Sequence, residues 1–247
     1  MEKFITHSEA SKKILNIAQM SSSLPVNVLI IGEQGVGKTI LSKHILHDSP
    51  IFDARVLEDM IIKNNFNKDE YSELIILNID YALNKQEFME KLNGIKIVAT
   101  TSQSLYEIDT LFAIKIDIPP LSERPEDLKE LIEVYIEKAN KIYNAEVELK
   151  DIKIDLTQNG ISLKKVIYKT VSSISMDDNE MMDSLEYFIS KKLEENKEYR
   201  DLLKYFEIPL LKAAKEQYKS QLQMATRLNI NRITLRKKLE LYSKDLA

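Results

Sequence analysis

The densest chemistry in this chain lies in eight consecutive residues, Gly32, Glu33, Gln34, Gly35, Val36, Gly37, Lys38 and Thr39. Three of the five glycines of the whole protein fall among them. Glycine is used where backbone must take positive φ or approach a ligand closely, so a glycine-poor chain that concentrates it here is shaping a loop. The spacing is G-x-x-x-x-G-K-[ST], the phosphate-binding loop pattern. In such a loop, backbone N–H groups and the N-terminus of the following helix point at one spot and favour an anion. Lys38 would neutralise β- and γ-phosphates, and the Thr39 hydroxyl would ligate Mg²⁺. The expected ligand is ATP or ADP with Mg²⁺, cradled by Gly32 to Thr39.

That chemistry requires a strand before the loop and a helix after it. Val26-Asn27-Val28-Leu29-Ile30-Ile31 reads as a buried strand, and Thr39 to Leu46 carries apolar residues at helical spacing. A helix over residues 4–19, with Ser8 and Ser11 able to cap, precedes them and is broken by Ser21-Ser22-Ser23-Leu24-Pro25. Downstream, Leu74 to Asp80, Ile95 to Thr101 and Ala113 to Ile118 read as strands, with Phe88 to Leu92 helical; Ile51 to Leu57 and Asp59 to Asn65 read as a short strand and a short helix. Strands alternating with helices predict an α/β fold with a parallel sheet and right-handed crossovers. After Pro119-Pro120 the strand signal stops. Glu126 to Tyr143 is amphipathic, with Leu128, Leu131, Ile132, Tyr135 and Ile136 on one face, and Leu163 to Ser172 is a further helix. Residues 178–205 are charged and helical with a Met181, Leu185, Phe188, Ile189 stripe, which is a linker, a dimerising helix or plain core packing. The last segment opens with Pro209, a helix from Leu210 to Tyr218 and another from Gln221 to Leu228. The turn Asn229-Ile230-Asn231 follows, then a basic helix from Arg232 to Tyr242. Two helices joined by a tight turn, the second basic, predict a helix-turn-helix.

Composition narrows the classes. With 247 residues, 44% hydrophobic and 30% charged, the chain suits a folded protein of one large domain or a domain plus a small module. There is no cysteine, which excludes disulfides and thiolate metal sites. His44 and His47 share a helix face, either as a solvated pair or as half of a metal site. No apolar run approaches the ~20 residues of a membrane span, and the N-terminus lacks a signal-peptide core, so a cytoplasmic protein is expected, with no membrane contact. Charge is uneven. Residues 212–247 carry nine Lys/Arg against three Asp/Glu, a net of +6 in a chain of net −4, so the first 211 residues carry −10. An acidic body with a basic tail predicts a nucleic-acid contact confined to the tail.

Three stretches resemble one family, the NtrC-type bacterial enhancer-binding proteins. These are AAA+ ATPases that activate sigma-54 RNA polymerase and end in a Fis-type helix-turn-helix. Gly32 to Thr39 is similar to their G-E-S-G-T-G-K-E, with Thr39 in place of the glutamate. Pro119-Pro120-Leu121-Ser122-Glu123-Arg124-Pro125-Glu126-Asp127-Leu128 resembles P-P-L-R-E-R-x-E-D-I, at the entry to the helical lid. Ile230-Asn231-Arg232-Ile233-Thr234-Leu235-Arg236-Lys237-Lys238-Leu239 resembles I-N-R-x-T-L-R-K-K-L of the Fis-type module. The resemblance implies an AAA+ α/β subdomain over 1–120 and a lid over 121–175. A linker or dimerisation helix over 176–205 and a DNA-binding domain over 206–247 would follow. No receiver domain is expected before the AAA+ core, because Phe4 already lies inside it. The resemblance further implies that Asn231, Arg232, Thr234, Arg236 and Lys237 contact double-stranded DNA, as a homodimer through the C-terminal helices. A nucleoid-associated bacterial protein is the expectation.

The departures from that pattern bear on catalysis. The L-F-L-D-E strand aligns with Ile75-Ile76-Leu77-Asn78-Ile79, so the Mg²⁺-linked aspartate is Asn78 and the water-activating glutamate is Ile79. Asp80, two residues on, would share a face with Asn78 by strand alternation, which makes it a weak candidate for the metal role. The sensor asparagine aligns with Ser102, and no arginine occurs from Glu107 to Ile118 to act as a finger. The lid's G-N-V-R-E-L reads Gln158-Asn159-Gly160-Ile161-Ser162-Leu163, and the G-A-F-T-G-A loop that grips the sigma factor is missing. Losing an arginine finger costs about 10³–10⁵ in turnover in GTPase systems. Three functions fit these residues. The first is a DNA-binding regulator that binds ATP or ADP, hydrolyses it poorly or not at all, and makes no sigma-54 contact. The second is a working P-loop ATPase using Asp80, with the tail used for localisation. The third is an interaction module in which both sites are vestigial. The first accounts for both the intact loop and the intact tail.

Overall fold

The computed structural model describes residues 3–103 and 110–246, in two units, Met1–Ser175 and Met176–Ala247. In the first, the apolar run before the glycine loop forms β1 (Val28–Ile31), buried at all four positions. It is flanked by β4 (Lys96–Thr101) and β5 (Ile114–Asp117). Val28 lies opposite Val98 on one side and Ile114 on the other, and β3 (Glu73–Leu77) and β2 (Ile51–Asp53) continue the sheet. All pairs are parallel and the order is β2-β3-β4-β1-β5. Successive side chains point to opposite faces of a strand. Leu29 and Ile31 accordingly enter one core with Leu74, Ile76 and Ile97, while Val28 and Ile30 enter the other with Ile75 and Val98. Both faces are covered by helices: α1 (Glu9–Ser22), α2 (Lys38–Ile45), α3 (Ala54–Ile62) and α4 (Lys85–Lys91). In parallel sheets, ligands bind beyond the carboxyl ends of strands, and the glycine loop leaves β1 there.

The strand expected to run from Leu74 to Asp80 stops at Leu77. Asn78 takes the left-handed conformation (φ 56°, ψ 50°), which asparagine tolerates, and residues 79–81 form a 3₁₀ turn. Strand alternation therefore does not place Asp80 beside Asn78. The segment expected as a strand to Leu57 turns helical at Ala54, where the Asp53 carboxylate accepts the Arg55 N–H at 3.1 Å and caps α3.

The lid consists of α5 (Pro125–Tyr143) and α6 (Gly160–Ser175), packed through Leu121, Ile132, Ala139, Leu163, Ile167 and Val171. Pro125 occupies the first turn of α5, where its missing N–H costs nothing. The junction of lid and sheet is polar and buried. Arg124 and Asp127, exposed by only 2% and 1%, form an ion pair at 3.4 Å. Asp127 also accepts from the N–H groups of His7 (2.7 Å) and Ser8 (2.8 Å) and from the hydroxyls of Ser8 (2.9 Å) and Ser11. Burial pushes the Asp127 carboxyl up, but the bonds from Ser11, Ser8 and His7 outweigh it and hold the group below the ordinary aspartate value. A folded-state value that is lowered contributes stability above the unfolded value, about 3.9, and loses it as pH falls below. Unfolding followed by circular dichroism should show the wild type losing stability below about pH 4, and Asp127→Asn losing less over that range. Asp127→Ala, which leaves Arg124 buried and unpaired, should cost about 3–5 kcal/mol at pH 7.

The second unit holds four helices, α7 (Asp178–Glu194), α8 (Tyr199–Gln217), α9 (Gln221–Arg227) and α10 (Arg232–Leu241). The single charged stretch read over 178–205 is two helices, each opened by a reciprocal capping box (Asp177 with Glu180, Glu198 with Asp201), with Asn196 left-handed between them. The helix expected to begin at Leu210 instead runs through Pro209, so the boundary expected at 205/206 falls inside α8. The tertiary contacts of Leu211 and Ala214 hold the helix across the proline. Leu211, Ala214, Met224, Ala225, Leu235, Tyr242 and Leu246 form the core of this unit. Asn229 is left-handed (φ 51°) in the turn between α9 and α10, as the turn requires.

Candidate functional site

The loop from Gly32 to Gly37 borders a cavity of about 670 Å³ in the first unit. Gly37 takes φ 109° at the N-cap of α2, and Gly35 takes φ 80°, both in the region where a side chain is strained. A Cβ on Gly35 would lie 2.1 Å from the Gln158 carbonyl oxygen, so the lid packs directly against the loop. Gln34 to Thr39 all line the cavity, while Gly32 and Glu33 do not. Lys38 Nζ donates to the Gly32 carbonyl at 2.5 Å and the Glu33 carbonyl at 2.9 Å. Burial pulls the Lys38 ammonium below the ordinary lysine value, and the charges of Asp80 and Glu33 offset part of that. Thr39 lines the cavity at the first turn of α2, where its hydroxyl can serve a cation held by phosphate oxygens.

The far walls were not legible as a site in the sequence. Phe4, Ile5, Ile40 and Leu131 make one side apolar. Tyr135 and Tyr168 meet edge-on at 6.4 Å, and the Lys164 ammonium lies 5.9 Å and 5.8 Å from their ring centres. Lys165 joins the same wall. Ile161, where the family's lid arginine would stand, also lines the cavity; Lys164 and Lys165 follow it by three and four residues, the helical spacing that puts side chains on one face. That spacing is the signal by which the two lysines could have been found. The cavity thus offers apolar and aromatic surface together with cationic groups, the combination that a nucleobase with phosphates requires.

At the end of β3 the carboxylate chemistry is altered. Asn78 Nδ2 donates to Asp53 Oδ2 at 3.0 Å, and the Asn78 N–H donates to the Thr100 hydroxyl at 3.1 Å. Ile79 is fully buried in the core. Asp80 lies within electrostatic reach of Lys38 but does not line the cavity, and its Oδ1 is buried without a hydrogen-bond partner. No group of three or more His, Asp or Glu among the described residues could hold a metal ion, and His44 and His47 form only an edge-on ring pair at 6.3 Å. Restoring the family's pair should therefore fail structurally. Asn78→Asp would set two carboxylates against each other, and Ile79→Glu would bury an unpaired charge, which costs several kcal/mol. The double variant should melt lower than wild type and gain no phosphate release. Of the stretch expected to lack arginine fingers, residues 107–109 lie outside the described residues.

The second candidate face is α10. Asn231, Arg232, Ile233, Thr234, Arg236 and Lys237 are exposed, while Leu235 is fully buried. Asn231 is the N-cap, its Oδ1 accepting the Ile233 N–H at 2.8 Å, which leaves its amide N–H groups and one oxygen lone pair for a ligand. Arg236 pairs with Glu240 at 2.9 Å in the open. Lys238 pairs instead with Glu207, which also accepts from Tyr242 at 2.8 Å, so Lys238 ties α10 to α8 within the module. Ile233, 66% exposed on the same face as Arg236 and Lys237, had no assigned role in the sequence.

Residues 4–58 match the family model of the sigma-54 interaction domain. Over 97% of its length the chain is similar to NtrX from Brucella abortus crystallised in complex with ATP, at 15% identity and a TM-score of 0.57, covering 69% of that chain. The same protein in complex with ADP gives a TM-score of 0.58 at 15% identity, over 96% of this chain and 68% of that one. No curated protein sequence matches the chain. The resemblance to NtrC-type AAA+ proteins thus holds in the family model over the first part of the chain and in the fold, an α/β unit on a five-stranded parallel sheet. No helix among the described residues is long and apolar enough to cross a membrane.

Proposed function

We propose that this protein is a DNA-binding transcriptional regulator that binds ATP or ADP at Gly32 to Thr39 and hydrolyses it poorly or not at all. The observation that carries the nucleotide half is the loop itself, with left-handed glycines, a partly buried Lys38 and a cavity lined by aromatic, aliphatic and cationic side chains. That NtrX crystallises with ATP and with ADP on the same fold supports the reading. The residues fit the phosphates fully and Mg²⁺ only in part. Thr39 would ligate the cation together with phosphate oxygens, with no carboxylate cluster to complete the shell. Bound nucleotide supplies the anion and the base. The chain's residues bind and orient it, while Asn78, tied to Asp53, and the apolar, buried Ile79 supply no carboxylate at the two positions where the family has them.

The DNA half rests on the exposed face of α10 and the positive tail. A single recognition helix reads few base pairs, so a homodimer is the expected unit. Helix α7 supports that: none of its 17 residues is buried, and Met181, Met182, Tyr187, Phe188 and Leu193 are exposed along it. Only ten residues separate α3 from β3, and no G-A-F-T-G-A sequence stands there, so the protein does not remodel sigma-54 polymerase in this reading. The alternative, an active ATPase using Asp80, is favoured by the charge coupling of Asp80 to Lys38. One paired assay on the full chain separates them: duplex binding by fluorescence anisotropy, and phosphate release with Mg²⁺–ATP. The expected result is DNA binding with release at least about a thousandfold below an intact enhancer-binding protein. Brisk release that disappears in Asp80→Ala would establish the alternative, and absence of DNA binding would remove the regulator reading.

A further inference from the structure

The carbonyl oxygens of the glycine loop are all engaged, and the lid engages the ones nearest the cavity. Gly32 and Glu33 carbonyls accept from Lys38. The Gln34 carbonyl accepts from Asn159 Nδ2 at 3.1 Å, the Gly35 carbonyl from the Gly160 N–H at 3.1 Å, and the Val36 carbonyl from Arg124 Nη2 at 3.1 Å. Asn159 is 2% exposed and left-handed (φ 48°) just before α6. Its Nδ2 also donates to Glu33 Oε2 at 3.0 Å, and its Oδ1 accepts the Leu121 N–H at 2.8 Å. The amide orientation follows from these partners, since the Leu121 N–H needs an acceptor and the Gln34 carbonyl a donor.

A trans peptide is planar, with its C=O and the next N–H pointing in opposite directions. Fixing the oxygens of Gln34, Gly35 and Val36 from the lid side therefore turns the N–H groups of Gly35, Val36 and Gly37 the other way. Those N–H groups are the ones that a phosphate would accept from. We infer that Asn159, with Gly160, is a positioning residue for the phosphate cradle: the lid holds the loop in its anion-binding form, and the lid's placement sets phosphate affinity. This rests on the reading of Gly32 to Thr39 as a nucleotide site and adds the element that pre-organises it. Two buried side chains share the task. Arg124 is anchored to Asp127 and so to α1, while Asn159 ties the loop to the backbone of Leu121. A shift of the lid would release the peptides 34–35 and 35–36 together.

Two substitutions separate positioning from mere stability. Asn159→Asp keeps the acceptor for Leu121 but removes both donors and sets a carboxylate against Glu33. Gly160→Ala replaces glycine in a helix by the better helix former, yet its Cβ would stand 3.0 Å from the Gly35 carbonyl oxygen. The test is competition binding on the full chain with Mg²⁺, using ADP, ATP and adenosine, beside thermal unfolding of each variant. Losing one or two such hydrogen bonds corresponds to about tenfold in affinity. Asn159→Asp should weaken ADP and ATP about tenfold or more and leave adenosine unchanged. Gly160→Ala should do the same in kind while melting no lower than wild type. Variants that bind ADP as tightly as wild type would overturn the inference alone, as would equal weakening of adenosine and ADP. A wild type that binds no ADP would overturn the nucleotide site itself.

Discussion

Lys38→Ala should abolish measurable ATP and ADP binding while leaving the fold intact. Lys38 is part of the loop, and its ammonium is partly buried, where an ion-pair partner gains more than in water. Truncating one partner of a buried charged contact costs about 2–5 kcal/mol, or roughly 30- to several-thousandfold in affinity. The substitution also strips the Gly32 and Glu33 carbonyls of their donor, which loosens the loop. Because burial lowers the Lys38 value, the ammonium loses its proton at lower pH than an ordinary lysine, whose value is about 10.4. Wild-type affinity should accordingly fall as pH is raised, starting below that value, and Lys38→Arg should show no such fall. Calorimetric binding that survives Lys38→Ala would place the nucleotide elsewhere.

Arg236→Ala/Lys237→Ala should weaken DNA binding on every sequence and flatten its salt dependence. Both side chains are exposed on α10 on the face opposite Leu235, where they can reach phosphates but carry no sequence information themselves. Each phosphate neutralised contributes about 0.9 to the slope of log affinity against log salt, so a dimer losing four such charges should lose about 3.6 from the slope. At low salt the loss should reach at least about a hundredfold, since four phosphate contacts leave the dimer and the acidic first 211 residues oppose binding. Arg232, at the helix start, should instead change sequence preference when replaced. An unchanged slope in the double variant would remove α10 from the interface.

The sequence made the sheet legible because β1, β3 and β4 carry apolar runs and β5 alternates apolar with charged residues, and the glycine loop fixed where the site lies. The far walls of the cavity were not legible. Phe4, Tyr135 and Lys164 are far apart in sequence, and their types are those of ordinary core and surface positions. The end of β3 misled for a local reason: Asn78 adopts a left-handed turn, so the strand ends at Leu77 and its period of two never reaches Asp80. Pro209 misled because tertiary packing holds α8 across it. Asn159 entered the sequence reading only through the stretch similar to the lid's G-N-V-R-E-L, and its bonds to Gln34 and Leu121 span 125 and 38 residues, which no local pattern carries.

The most direct measurement is calorimetric titration of the purified full chain with Mg²⁺–ADP and Mg²⁺–ATP, with phosphate release followed in the same ATP sample. The account predicts binding of about one nucleotide per chain for both, lost in Lys38→Ala, with no phosphate released on the timescale of the titration. No binding at millimolar nucleotide would contradict the site, and steady phosphate release would contradict the reading of Asn78 and Ile79 as positions that no longer support hydrolysis.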